Sequence, residues 1–189
     1  FRVGAVNYVH PTSDGAIINA AGGGSETPTI GLFGDRTFIV NETAAAADLI
    51  IEVGISNGDA INRSLVKQSI GRMVMRGANT YTGATSVDRG KLVLDYSINN
   101  SDSRLSNAAT VNLRGGILEL AGNAGAPTSE TALSLTMVRA HSTLSLLSNG
   151  GQTVTLNLTR GLVRAVSTGV VNFATNDPAN AVFTGGGDG

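Results

Sequence analysis

Short runs in which apolar and polar residues alternate recur along most of the chain. RTFIV (36–40), DLIIEV (48–53), RMVM (72–75), KLVL (91–94), ATVNL (109–113) and ILEL (117–120) come first. ALSLTMV (132–138), STLSLL (142–147), QTVTLNL (152–158) and VVNF (170–173) continue the series. A period near two sends successive side chains to opposite faces, so each run predicts a strand with one buried face. Between them lie SNGDA (56–60), RGG (114–116) and SNGG (148–151), whose Gly, Asn and Asp residues favour turns. AAAAD (44–48) has room for one helical turn, but β-type residues follow at once, so a loop or short turn is expected. The pattern predicts an all-β chain.

Short strands at this spacing suit a sandwich, a barrel or a solenoid. Self-similarity favours the solenoid: RGKLVLDYS (89–97) and RGGILELAG (114–122) both place a Gly before an alternating aliphatic strand. An echo at about 20–30 residues points to stacked coils, each burying its aliphatic face on the next. With coils ~4.8 Å apart, seven or eight of them would span roughly 35–40 Å.

Composition narrows the core. Aromatic residues make up 4% of the 189, with no Trp, against 25 Gly and 41% hydrophobic residues. A core of Leu, Val, Ile and Ala suits narrow coils better than a bulky sandwich. Only 14% of residues are charged, yet the apolar residues sit in regular runs, which excludes a disordered chain. The net charge is −1 and the 13 basic residues are scattered, so no electrostatic footprint for nucleic acid exists. Without cysteine, neither a disulfide framework nor a thiolate metal site can form. No apolar run is long enough for a membrane-spanning helix. The chain starts Phe-Arg-Val and ends in Gly-rich 185–189, a linker or end, which reads as one segment (1–189) of something longer.

One stretch carries a family resemblance. Residues 67–94, KQSIGRMVMRGANTYTGATSVDRGKLVL, resemble the autotransporter-associated β-strand repeat. The pattern is a Lys, a Gly-x-Leu-x-Leu strand, Gly-x-Asn-Thr-Tyr-Thr-Gly, Thr-x-Val, Gly and Leu-x-Leu. Here it is met by Lys67, Gly77, Asn79, Thr80, Tyr81, Gly83, Val87, Gly90, Leu92 and Leu94. Met73 and Met75 stand where the first strand has leucines, and Ser69 lies near the place of a missing glycine. The match is close over 67–94, looser to about residue 175, and weakest over 1–35.

The resemblance implies a right-handed parallel β-helix in a bacterial passenger region, displayed at the outer membrane or secreted. Asn79 and Thr80 would turn the chain at a corner, and Gly77, Gly83 and Gly90 would sit where φ is positive or backbone passes close. Tyr81 would lay its ring over the coil edge, its hydroxyl to solvent or a carbonyl. A cysteine-free chain suits export through a narrow pore. In a bacterial protein the sequons at Asn41, Asn62, Asn99 and Asn157 are chance matches.

Candidate chemistry is sparse. His10 and His141 are far apart, a metal pair or triad base only if the fold joins them. Parallel β-helices can be polysaccharide lyases or hydrolases, which need clustered carboxylates and a basic residue. Asp35, Glu42, Asp48, Glu52 and Asp59 come closest to a group, and glycoside cleavage needs a pair within roughly 5–10 Å. The final GGGDG is half of a calcium-binding nonapeptide and offers too few oxygens alone. Thr153, Thr155 and Thr159 form a row only one coil deep.

The expectation is a non-catalytic structural stalk or adhesive passenger segment with no cofactor, at the cell surface or outside the cell. Its partners would be other coils, neighbouring subunits and surface glycans. The alternatives are a carbohydrate-binding or polysaccharide-cleaving β-helix, and a subunit of a filament or surface layer.

Overall fold

A computed structural model describes residues 6–9, 15–19, 28–102, 104–165 and 169–185, with 6–9 as backbone alone. Among these residues there is no helix, and nineteen strands, numbered along the chain, pair only in parallel. They build a β-solenoid of about six turns with three faces. The first face stacks β1 (Val6–Val9), β4 (Arg36–Val40), β7 (Leu65–Gln68), β9 (Thr85–Val87), β11 (Thr110–Leu113), β14 (Ser134–Met137) and β17 (Leu162–Arg164). The second stacks β2 (Ala16–Ile18), β5 (Leu49–Ile51), β8 (Arg72–Met75), β10 (Lys91–Asp95), β12 (Ile117–Ala121), β15 (His141–Leu147) and β18 (Val170–Thr175). The third is split into β3 (Thr29–Leu32) with β6 (Gly54–Asn57), and β13 (Thr128–Ala132) with β16 (Val154–Leu158) and β19 (Ala181–Gly185).

The alternating runs place their aliphatic residues in register. On the second face Leu49, Met73, Leu92, Leu118, Leu144 and Phe173 form one inward column. Ile51, Met75, Leu94, Leu120 and Leu146 form the next. From Leu49 to Leu144 the first column is at most 2% exposed, so each residue is sandwiched between its neighbours above and below. Truncating a member to Ala would cost about 2–5 kcal/mol. Coil length varies. Leu92, Leu118 and Leu144 recur every 26 residues, but Ile17 pairs with Ile50, a coil of 33. Such long coils are why about six turns form rather than the seven or eight expected, a stack of roughly 30 Å.

Outside the second face, Ile50, Val74 and Val93 form an outward aliphatic column. Val74 and Val93 are only 3% and 1% exposed, although they point away from the core. Their flanking neighbours are Arg72, Lys91 and Arg76, whose long stems screen apolar surface while the charged ends reach water. In β2 the neighbours of Ile17 are too short for this, and Ile17 is 59% exposed.

Residues 44–48 form bends rather than a helix. Asp48 explains their shape: its two carboxylate oxygens accept the Thr43 and Arg72 amides, both at 2.5 Å, tying the loop to β8.

Candidate functional site

The repeat-like segment 67–94 supplies the corner where the third face loses its strand. After β8 the chain runs through Gly77 to Tyr81 without entering a sheet. A Cβ on Gly77 would lie 2.1 Å from the Val53 carbonyl oxygen, so only glycine lets the coils approach there. Gly83 meets the backbone of Arg63 in the same way, and Gly90 adopts φ +62°. Ser69, near the missing glycine, is itself left-handed at φ +68°. Thr80 is exposed, and its amide donates to the Ile55 carbonyl at 2.7 Å.

Asn79 is 6% exposed and bridges three coils. Its Oδ1 accepts the Ile55 amide at 2.8 Å, and its Nδ2 donates to the Arg104 carbonyl at 2.9 Å. The side chain thus takes the hydrogen bonds that a neighbouring strand would have made. Tyr81 is 2% exposed, its ring inside the core and not over the coil edge. Its hydroxyl lies 2.6 Å from Thr85 Oγ1, and burial pushes its pKa up. Val87, Leu92 and Leu94 are fully buried inward residues of β9 and β10.

The next coil replaces its missing strand with Glu130. This residue points inward from β13, in register with Leu156 and Phe183, and is 0% exposed. Its Oε1 accepts the Leu105 amide at 2.7 Å, and its Oε2 accepts the Arg104 amide at 3.1 Å and the Tyr96 hydroxyl. Burial raises the Glu130 pKa to about 7 against the pull of these donors. The Arg104 guanidinium carbon lies 4.9 Å from the centre of the Tyr96 ring. Its Nη2 donates to the Asn99 carbonyl at 2.5 Å and the Asp95 carbonyl at 3.3 Å. Sequence reasoning passed over Tyr96, Arg104 and Glu130. The available signal was a Glu at the centre of TSETA, a strand-length stretch 26 residues before VTLNL.

Lys67 is likewise inward and 0% exposed, donating to the Ser69 carbonyl at 2.5 Å and the Arg89 carbonyl at 3.0 Å. Burial lowers its pKa to about 8. It clamps two turns of successive coils from inside.

Outside, charges stack across coils. Arg76 donates to Glu52 at 3.1 Å and to Asp95 at 2.8 Å, and Lys91 pairs with Glu119 at 2.7 Å. Burial acts to raise the Asp95 pKa, but hydrogen bonds from Arg76 and Ser97 outweigh it and hold it below the usual value. Glu52 and Arg76 border a groove of about 510 Å³ that runs past Val53 and Gly77 to Ile98 and Asn99. The other grouped acids are engaged separately: Asp59 pairs with Arg63, and Asp35 accepts the Ser64 amide. Among the described residues no three His, Asp or Glu side chains converge as metal ligands. His141 opens β15 in an exposed position, while His10 lies outside the described residues. Gly185 ends β19, and 186–189 also lie outside them.

The arrangement can brace and orient coils, because its buried polar groups face one another and the backbone. No known protein family, curated protein or solved structure matches the chain.

Proposed function

We propose that this chain is a non-catalytic structural segment, a stalk or adhesive passenger, of a bacterial surface-displayed or secreted β-solenoid. The observation that carries this reading is the unbroken aliphatic stack on the second face, crossed by buried polar residues that bind backbone groups. Such a core gives a stiff spacer that exposes its faces and ends for contact, with a further β-coil as the natural partner at an open end. The repeat-like segment 67–94 supports placement outside the cell. The test is mild protease treatment of intact cells, followed by mass spectrometry of the released and secreted peptides. Peptides of this chain shaved from the surface or found in the medium are expected. Their confinement to the cytoplasm would overturn the reading.

One observation favours a second reading, a carbohydrate-binding face. Glu52, Arg76 and Asp95 from three successive coils stand together beside the groove. Carboxylates held by an arginine suit hydrogen bonding to sugar hydroxyls better than proton transfer. Glycan-array binding abolished by Arg76→Ala would support it, and an empty array would remove it.

A further inference from the structure

The sequence holds two Asn-Gly pairs, Asn57-Gly58 and Asn149-Gly150, and the fold treats them in opposite ways. A glycine after asparagine leaves the next backbone nitrogen unshielded by any side chain, so that nitrogen can approach the asparagine carboxamide carbon. At the first pair both groups are held. Asn57 ends β6, where its Oδ1 accepts the Arg63 and Thr82 amides at 3.2 and 3.3 Å. Its Nδ2 donates to Thr82 Oγ1 at 2.8 Å, and the Gly58 amide donates to the Leu32 carbonyl at 2.6 Å. The carboxamide is pinned and the backbone nitrogen is engaged.

The second pair lies in the turn from β15 to β16, where Asn149, Gly150 and Gly151 are all exposed. Among the described residues neither the Asn149 carboxamide nor the Gly150 amide has a hydrogen-bond partner. The turn is closed by another bond, from the Gln152 amide to the Asn149 carbonyl at 3.1 Å. Position 150 nevertheless requires glycine. Its φ is +59°, and a Cβ there would lie 2.5 Å from the Ala124 carbonyl oxygen of the preceding coil. The turn therefore demands the one residue that leaves Asn149 open to attack.

We propose that Asn149 is a site of spontaneous deamidation in the folded protein and that Asn57 is protected from it. The Gly150 nitrogen gives its proton to water and bonds to Asn149 Cγ, closing a five-membered succinimide. The Cγ–Nδ2 bond breaks and ammonia leaves. Water then opens the ring at either carbonyl, which leaves aspartate or isoaspartate at position 149. Both products add a negative charge to this corner, and isoaspartate also routes the backbone through Cβ, lengthening the turn by one atom. The modification follows from the turn itself and is independent of where the protein is displayed.

The test is peptide mapping by mass spectrometry of the 189-residue chain, kept in neutral buffer with and without guanidinium chloride. In the folded chain acid should accumulate at position 149 at least ~10-fold faster than at position 57, because Asn57 and Gly58 must first break their hydrogen bonds. In denaturant the two rates should converge, chiefly through a rise at position 57. Asn149→Gln, whose ring closure would need six atoms, should abolish the product. Because the side chain has no partner, the melting temperature should hold in that variant. Equal rates at the two positions in the folded chain would overturn the proposal. So would a rise at position 149 on unfolding as large as the rise at position 57. Either result leaves the protease-shaving outcome untouched, so the two readings fail separately.

Discussion

On the third face, β13, β16 and β19 hold one another through a parallel backbone ladder, whereas two coils earlier the same face has no strand. There Asn79 receives the Ile55 amide and reaches the Arg104 carbonyl, and Glu130 receives the Arg104 and Leu105 amides. Both regions satisfy buried backbone groups, but they concentrate the risk differently. A ladder spreads its bonds over many residues, none of which depends on side-chain identity. The bridged coils depend on two side chains, each placed where an aliphatic residue would otherwise point inward. The ladder tolerates substitution, and the bridge gains a corner tight enough for a 19-residue coil between Met73 and Leu92.

The difference can be broken most sharply at Glu130. Glu130→Ala leaves two amides and the Tyr96 hydroxyl buried without an acceptor, and should cost about 4 kcal/mol in urea denaturation. Thr155→Ala, on an outward position of the ladder strand β16, should stay within about 0.5 kcal/mol. Equal costs would erase the distinction between the two regions.

The next effect is pH dependence. The folded state raises the Glu130 pKa from 4.5 to about 7, so between those values it binds more protons than the unfolded chain. Stability therefore falls as pH rises from about 4.5 to 7, by about 3 kcal/mol for this group, and the loss persists above. Glu130→Gln should flatten that part of the profile, and an unchanged slope would assign it elsewhere.

Asn79→Ala should cost about 2 kcal/mol, since it strands a buried donor and a buried acceptor. Smallest is Tyr81→Phe. It keeps the ring and loses the bond to Thr85, and should cost about 1 kcal/mol by the same measurement.

These residues also explain what could be read in advance. β10, β12 and β15 are plain in the sequence because an inward Leu recurs at every second position between outward neighbours. β13 is hidden because its inward residues are Thr128, Glu130 and Ala132, so the apolar half of the alternation is absent. β7 is blurred in the same way by inward Lys67. Local chemistry marked Asn79 and Tyr81 as corner residues, but it placed the Tyr81 ring outside. The ring sits in the core, its hydroxyl against Thr85 and, at 3.5 Å, the Arg104 carbonyl, which Asn79 also holds. That carbonyl lies 23 residues away, in a stretch that looks like polar loop. Register across coils decides such contacts, and register depends on coil lengths that vary here from 19 to 33 residues.

The most direct test of side chains standing in for a strand is native-state hydrogen exchange at the Ile55, Arg104 and Leu105 amides. The account predicts protection comparable to the β16 amides in the unmodified chain. That protection should be lost at Ile55 alone in Asn79→Ala and at Arg104 and Leu105 in Glu130→Ala. Exchange of these three amides at open-loop rates in the unmodified chain would contradict it.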